Sequence, residues 1–241
     1  MSTGNLFLDS LPGAVMRRLA FQLETVRVVK GQLLYLQSDS VNSVYFPLSA
    51  VVSKYHESEE GKPIEVALTG REGSIGMASA FDQRVAMHSC QVITGGNSMR
   101  IRTDYIVKIV EHVPELTVEL IRSLNSQLRQ MSRRVLCNRY HTVEQRLCMW
   151  MLMVSERTGR PSIRITHNDA ARGLGVHRPT ITDAMAILCE KGLIEQSTGR
   201  INILDHKLLR KLACDCTEEL SMAAVAGHNS HAHTHSGQKL V

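Results

Sequence analysis

GLGVHRPTITDAMAILCEKGLI, residues 173–194, sets a tight glycine turn before apolar side chains at helical spacing and closes on another glycine. In a helix begun near Arg178, Ile181, Met185 and Leu188 share one face. Pro179 sits in the first turn, where its missing N–H is harmless. The opposite face carries Arg178, Thr182, Asp183 and Ala186. Upstream, Thr166 and Asp169 form a capping-box-like helix start, Ala170 and Leu174 face inward, and Gly175 supplies the turn. Downstream, GLIEQSTGRINIL (192–204) reads as two alternating strands joined through Ser197-Thr198-Gly199-Arg200. The series is a helix–turn–helix followed by a hairpin wing. A helix exposed along one side fits a major groove about 12 Å wide, its first residues meeting the base edges. On the wing, Arg200 is placed to meet a phosphate.

The rest of the chain is consistent with that reading. Its 241 residues suffice for one large or two small cores, and aromatics are only 4%, so the core rests on Leu, Ile, Val and Met. A net charge of +5 suits a nucleic-acid partner without requiring one. Six scattered cysteines, no CxxC pair and no secretory signal predict reduced thiols in the cytoplasm. No apolar run approaches the ~20 residues that span a bilayer, so no membrane partner is expected. No Ser-x-Gly elbow, HExxH or P-loop is present, so the chain does not read as an enzyme.

Period divides the chain into parts. Residues 1–112 contain short alternating strands punctuated by Gly31, Asp39, Gly61, Gly70, Gly73 and Gly95-Gly96, the pattern of an all-β roll. Over 113–139, after Pro114, the residues Leu116, Leu120, Leu124, Leu128, Met131 and Val135 recur at helical steps beside Ile121. That stripe is about 30 Å long. Its length, with Arg122, Arg129, Arg133 and Arg134 on other faces, favours pairing with a twin helix over packing on its own domain. Residues 140–216 read as the compact winged unit. From 217 to 241 the pattern is lost, and His228, His231, His233 and His235 read as an undemanding tail with no metal role.

Residues 163–213 resemble the winged helix–turn–helix of the Crp/Fnr family of bacterial transcription regulators. The residues that carry this are LGVHRPTITDAMAILCEKGLI and GRINILD. RRVLCNRYHTVEQRL is similar to the family's join between dimer helix and DNA-binding domain, and YFPLSAVVSKYH and KPIEVALTGREGSIG to its β-roll. The resemblance implies an α+β chain: a double-stranded β-helix or jelly-roll domain of cyclic-nucleotide-binding type, a long dimerisation helix and a winged helix–turn–helix. It also implies a homodimer on a near-palindromic operator in double-stranded DNA, with RNA polymerase as a further partner. Position by position, Arg178 falls where a base-reading arginine is expected. Thr166, Asn168, His177 and Thr180 fall where phosphates are touched. Pro179 and Asp183 stand where the best-known members carry a base-reading glutamate and arginine, so the preferred operator is expected to differ.

The family's roll often holds a cyclic nucleotide. A site of that kind needs a glycine-rich turn, a glutamate for the ribose and an Arg-Ser or Arg-Thr pair for the phosphate. The turn is present as Gly70-Arg71-Glu72-Gly73-Ser74-Ile75-Gly76. The ribose position, however, falls on Met77, and the phosphate pair on Met87-His88 or His88-Ser89, with Arg84 too early. The expectation is no cofactor, an effector of unknown identity, and DNA binding without cyclic AMP. An alternative is a sensor whose roll binds a small effector while DNA binding is vestigial. An iron–sulfur cluster has no cysteine before Cys90 to draw on, and His88 beside Cys90 reads as structural rather than as a haem ligand. Cys137, Cys148 and Cys189 read as small core residues. A role for Cys214-Asp215-Cys216 in metal binding would need further ligands, sought in the histidine tail.

Overall fold

The computed structural model describes residues 2–61 and 63–221. Two short helices, α1 (Leu6–Asp9) and α2 (Gly13–Ala20), precede seven strands. These are β1 (Glu24–Val28), β2 (Leu33–Tyr35), β3 (Ser43–Pro47), β4 (Val51–Glu57), β5 (Pro63–Thr69), β6 (Ser89–Thr94) and β7 (Gly96–Arg102), with α3 (Met77–Phe81) between β5 and β6. All pair antiparallel, in sheets of order β1-β7-β3 and β2-β6-β4-β5. Their inward side chains, among them Val28, Tyr35, Val52, Ile75 and Val92, fill the roll. Alternation marks the inward positions because successive side chains leave a strand on opposite faces.

A second core cluster closes one end of the roll. Phe7, Leu8 and Leu19 pack with Phe46, Ile101 and Ile106, the last from α4 (Thr103–Val110), and with Leu116 and Leu120. Those two leucines belong to α5 (Pro114–Tyr140), a helix about 40 Å long with proline in its first turn. Their burial corrects the predicted stripe, for neither Leu116 nor Leu120 is free to meet a partner. At about 100° per residue, Leu116 falls toward the side of α5 that carries the buried Gln130, Arg134 and Cys137. Ile121, Leu124, Leu128 and Val135 fall on the opposite side and are exposed. With the half-buried Met131, they step 3, 4, 3, 4, the spacing of a coiled-coil seam.

A capping box between Thr142 and Gln145 starts α6 (Val143–Thr158), and left-handed Gly159 ends it. There follow β8 (Ser162–Ile163), α7 (His167–Leu174), α8 (Arg178–Glu190), β9 (Ile194–Ser197), β10 (Arg200–Ile203), α9 (His206–Leu212) and α10 (Cys216–Leu220). The wing is three-stranded, in the order β8-β10-β9, one strand more than the expected hairpin. The short helix α10 likewise occupies positions assigned to the patternless tail. The histidines at 228, 231, 233 and 235 lie outside the described residues. Trp150 is fully buried among Leu147, Ile163, Ala170, Leu174 and Met185. Gly173 lies against its indole, where a Cβ would stand 2.6 Å from Nε1, so that position has no room for a side chain.

Two buried ion pairs fasten the roll to the winged unit. Arg134 of α5 meets Glu65 of β5 at 2.9 Å and also donates to the Gly173 carbonyl at 2.5 Å. The Glu65 carboxylate further accepts from Trp150 Nε1 at 2.9 Å and from Ser53 Oγ at 2.7 Å. Burial pushes the Glu65 carboxyl up, opposed by the Arg134 charge and these hydrogen bonds. Arg157 of α6 donates to Glu72 at 2.8 Å. Removing one member of such a pair leaves an uncompensated buried charge, a cost of ~3–5 kcal/mol. Arg134→Ala is therefore expected to lower stability by about that amount in denaturant titrations, and the apolar double variant Glu65→Leu/Arg134→Met by much less. Equal losses in both would show that charge compensation is not what holds this junction.

Candidate nucleic-acid interface and effector cavity

The turn between α7 and α8 is formed by Gly175, with φ 63°, after a capping box in which Thr166 Oγ1 accepts from the Asp169 amide and Asp169 accepts from the Thr166 amide. The roll reaches this cap, since Lys30 Nζ lies 2.6 Å from Asp169 and donates to the Arg164 carbonyl at 3.1 Å. Helix α8 buries Ile181, Ala184, Met185 and Leu188. His177, Arg178, Pro179, Thr180, Thr182 and Asp183 stay exposed. The division read from the sequence is the observed one.

A groove runs between the start of α7, the start of α8 and the wing. Thr166, Asn168, Arg178 and Arg200 line it together with His167, Gln196 and Ser197. Among the described residues neither the Arg178 nor the Arg200 guanidinium has an ion-pair partner, so both remain available to an anion. The structure thus brings four predicted residues together. His177, the N-cap of α8, and Thr180, in its first turn, are exposed but are not among the residues that line the groove. Thr182 is engaged internally, facing His167 Nδ1 at 3.0 Å and donating to the Arg178 carbonyl at 3.1 Å. His167 was missed in the sequence. Its Nε2 lies 2.6 Å from Gln196 Oε1, so one imidazole ties the recognition helix to the wing. An alternating strand residue and a helix N1 histidine give no sequence signal of that bridge.

The effector residues do not form one site. Gly76, Met77 and His88 line a cavity of about 30 Å³ with Tyr35, Lys54, Cys90 and Gln127, far short of the ~300 Å³ that small-molecule sites occupy. Glu72 points away, into the buried pair with Arg157, and a Cβ on Gly70 would meet the Arg157 side chain at 2.7 Å. Arg71 and Gly73 belong to that same turn, outside the cavity; the Arg71 carbonyl accepts from Leu6 and the Gly73 carbonyl from Asn5. Arg84 is exposed and pairs with Asp104 at 2.5 Å. The Ser89 hydroxyl accepts the Gln37 amide at 3.0 Å. The candidate effector residues are thus divided between the small cavity and a turn that packs on Arg157 and joins the two halves of the chain. The charged group on the cavity wall is buried Lys54, which donates to Gln127 of α5 at 2.5 Å and has its pKa lowered by burial.

Comparison with known proteins agrees with this architecture. Residues 25–112 match the cyclic nucleotide-binding domain model, and residues 145–212 match the Crp-like helix-turn-helix domain model. The chain is similar to the CRP-like cAMP-activated global transcriptional regulator of Mycobacterium tuberculosis, 22% identical over 220 residues, covering 88% of this chain and 98% of that one. It is 25% identical over 175 residues to transcriptional regulator SdrP of Thermus thermophilus, covering 70% and 83%. In fold it resembles FixK2 of Bradyrhizobium japonicum, with TM-score 0.68 at 15% identity over 80% of this chain and 98% of that one. No helix among the described residues is long and apolar enough to cross a membrane.

His88 is the titratable imidazole on the cavity wall. Burial, then the Lys54 and His56 charges, hold its pKa down at about 4, and its Nδ1 lies 3.2 Å from His56 Nε2. The ring is neutral in the folded chain at neutral pH, so it offers a phosphate no charge. An unfolded chain protonates it near pH ~6.5. Between that pH and about 4 the unfolded state binds more protons, so folding stability declines as pH falls through the window. His88→Gln is expected to flatten the fall in melting temperature between pH 7 and 5. An unchanged slope would show that this ring does not set it.

Proposed function

We propose, from the premise that this chain belongs to the Crp/Fnr family of transcription regulators, that it acts as a homodimer and reads a near-palindromic operator without cyclic AMP. The observation that carries the DNA-reading part is the groove in which the exposed Arg178 and Arg200 converge with Thr166 and Asn168. Arg178, at the first position of α8, reaches O6 and N7 of a guanine in the major groove. Arg200, Thr166, Asn168, His177 and Thr180 take phosphates, and Asp183 accepts from a cytosine amine or excludes a phosphate. Pro179 reads no base edge by hydrogen bond, so the operator differs from those of members with a glutamate there.

The dimer assembles through Ile121, Leu124, Leu128, Met131 and Val135 of two α5 helices, with RNA polymerase as a further partner on the promoter and the cytoplasm as the setting. Independence from cyclic AMP is supported by the small cavity, by Met77 and neutral His88 at the positions that would hold the ribose and phosphate, and by the diversion of Glu72 to Arg157. The relative in M. tuberculosis carries cAMP activation in its name; here the roll's interior favours a compact anion beside Lys54, or no effector.

The test is selection of duplexes from fragmented genomic DNA by the purified chain with no ligand added. A shared near-palindromic site is expected, with affinity unchanged by cyclic AMP; only unspecific, salt-sensitive capture would overturn the reading. On the selected site, Arg178→Ala is expected to weaken binding by ~1–3 kcal/mol and relax one position of the sequence, whereas Arg200→Ala lowers the salt slope by about 1. If Arg178→Ala binds the selected site as the parent does, Arg178 is not the base reader; if no site is selected at all, the helix–turn–helix is vestigial and the chain is a ligand sensor. For assembly, Leu128→Asp is expected to yield a monomer in sedimentation, because it sets two like charges on the seam of a two-fold helix pair.

A further inference from the structure

At the far end of α5, Cys137 and His141 stand one turn apart on one face, and the segment after α9 brings Cys214 and Cys216 back onto them. The four ligand atoms all lie within 4.8 Å of one another. Cys137 Sγ is 3.4 Å from Cys214 Sγ, and Cys216 Sγ is 3.8 Å from His141 Nδ1. The outer ring nitrogen, His141 Nε2, faces the Asp215 carboxylate at 3.2 Å. The geometry points to a mononuclear metal site of three thiolates and one imidazole, taking a zinc-class divalent ion.

Size, donor chemistry and second shell agree on that ion. With Zn–S near 2.3 Å and Zn–N near 2.0–2.1 Å, a tetrahedron has ligand–ligand edges of roughly 3.5–3.8 Å. The Cys137–Cys214 and Cys216–His141 distances of 3.4 and 3.8 Å are already of that order, and the remaining pairs lie within 4.8 Å, so side-chain shifts of up to about 1 Å close the set. An iron–sulfur cluster interposes several atoms between its thiolates and does not fit ligands this close. Soft thiolates with one imidazole select zinc over magnesium or calcium. A carboxylate on the outer nitrogen fixes the tautomer that leaves Nδ1 free to coordinate, the arrangement that accompanies zinc-bound histidines.

Charge is balanced locally. On binding, each cysteine gives its thiol proton to solvent as its metal–sulfur bond forms, and His141 binds neutral, keeping Nε2–H toward Asp215. Three thiolates and one divalent ion leave one net negative charge. Arg134 and Arg146 interact electrostatically with these thiols, and Arg134 Nε and Nη1 and Arg146 Nε are buried without hydrogen-bond partners. Met149 Sδ, 3.6 Å from Cys214 Sγ and 3.9 Å from Cys137 Sγ, covers the inner side. The ion would staple the last turn of α5 to the end of the winged unit, where Arg133 also pairs with Glu219.

The test is cobalt(II) titration of the full chain, reduced and anaerobic, followed by competition with zinc. One equivalent is expected to give the thiolate-to-metal charge-transfer bands and intense d–d bands of a tetrahedral site, displaced by zinc. Cys216→Ser and His141→Ala are expected to weaken affinity at least tenfold, and Asp215→Asn, an exposed substitution that spares the fold, by ~10–100-fold. Replacing His228, His231, His233 and His235 by Ala is expected to leave the bands intact, which separates this site from the tail. Bands absent, bands unchanged by both Cys216→Ser and Asp215→Asn, or a Cys137–Cys214 disulfide in protein isolated anaerobically would each overturn the site.

Discussion

Two buried carboxylates tie the roll to the winged unit, and Glu65 is the more widely connected of them. Glu65 comes from the roll, yet its oxygens are satisfied by Arg134 of α5, Trp150 of α6 and Ser53 of β4, and Arg134 continues to the Gly173 carbonyl of α7. A carboxylate in an apolar interior persists as a charge when it is paired and hydrogen-bonded, as Glu65 is. The network therefore exists only while five elements from both halves of the chain, β4, β5, α5, α6 and α7, keep their relative positions. Arg157 and Glu72 repeat the device nearby, and Lys30 on the Asp169 cap extends contact to the rim. In this arrangement the recognition helix is positioned by the roll rather than by its own small core alone.

That dependence shapes what a signal would have to do. A swing of the winged unit would leave Glu65, Arg134, Glu72 and Arg157 unpaired in a dry interior, or admit water to all of them. The two states would therefore differ by several kcal/mol, and an effector shifts such an equilibrium only by its difference in affinity for them. Lys54 is where the roll's interior touches α5, through Gln127. An anion entering there would compete with Gln127 for the ammonium and so act on the helix that carries Arg134 two turns further on.

Much of this was legible in the sequence, for identifiable reasons. Alternation marked the roll as built of short strands, and a 3.6-residue period with a cap at Thr166 and a glycine turn at 175 placed α7 and α8. The exposed face of α8 was legible because one helix has only two sides to assign. What escaped depends on contacts distant in sequence. Gly173 read as part of a turn, while its requirement is set by Trp150, 23 positions earlier. Glu72 read as part of an anion cradle, and only the approach of α6 shows it committed to Arg157. Cys137 read as a core thiol because its neighbours, Cys214 and Cys216, come from 77 and more residues away.

The helix α5 gathers these threads because its sides serve different partners. Leu116 and Leu120 close the roll, Arg134 and Cys137 on the same flank meet the winged unit, and Ile121 through Val135 form the exposed seam on the opposite side. The period of the stripe could not separate these roles, since 3.6-residue spacing marks apolar positions without saying what covers them. With one flank locked by the buried Arg134–Glu65 pair, α5 cannot rotate about its axis to change the seam without breaking it. If the seam pairs two copies, their crossing geometry passes directly to the spacing of the two α8 helices. The distance between half-sites on DNA would then be set largely by Arg134 and Glu65, residues far from any base.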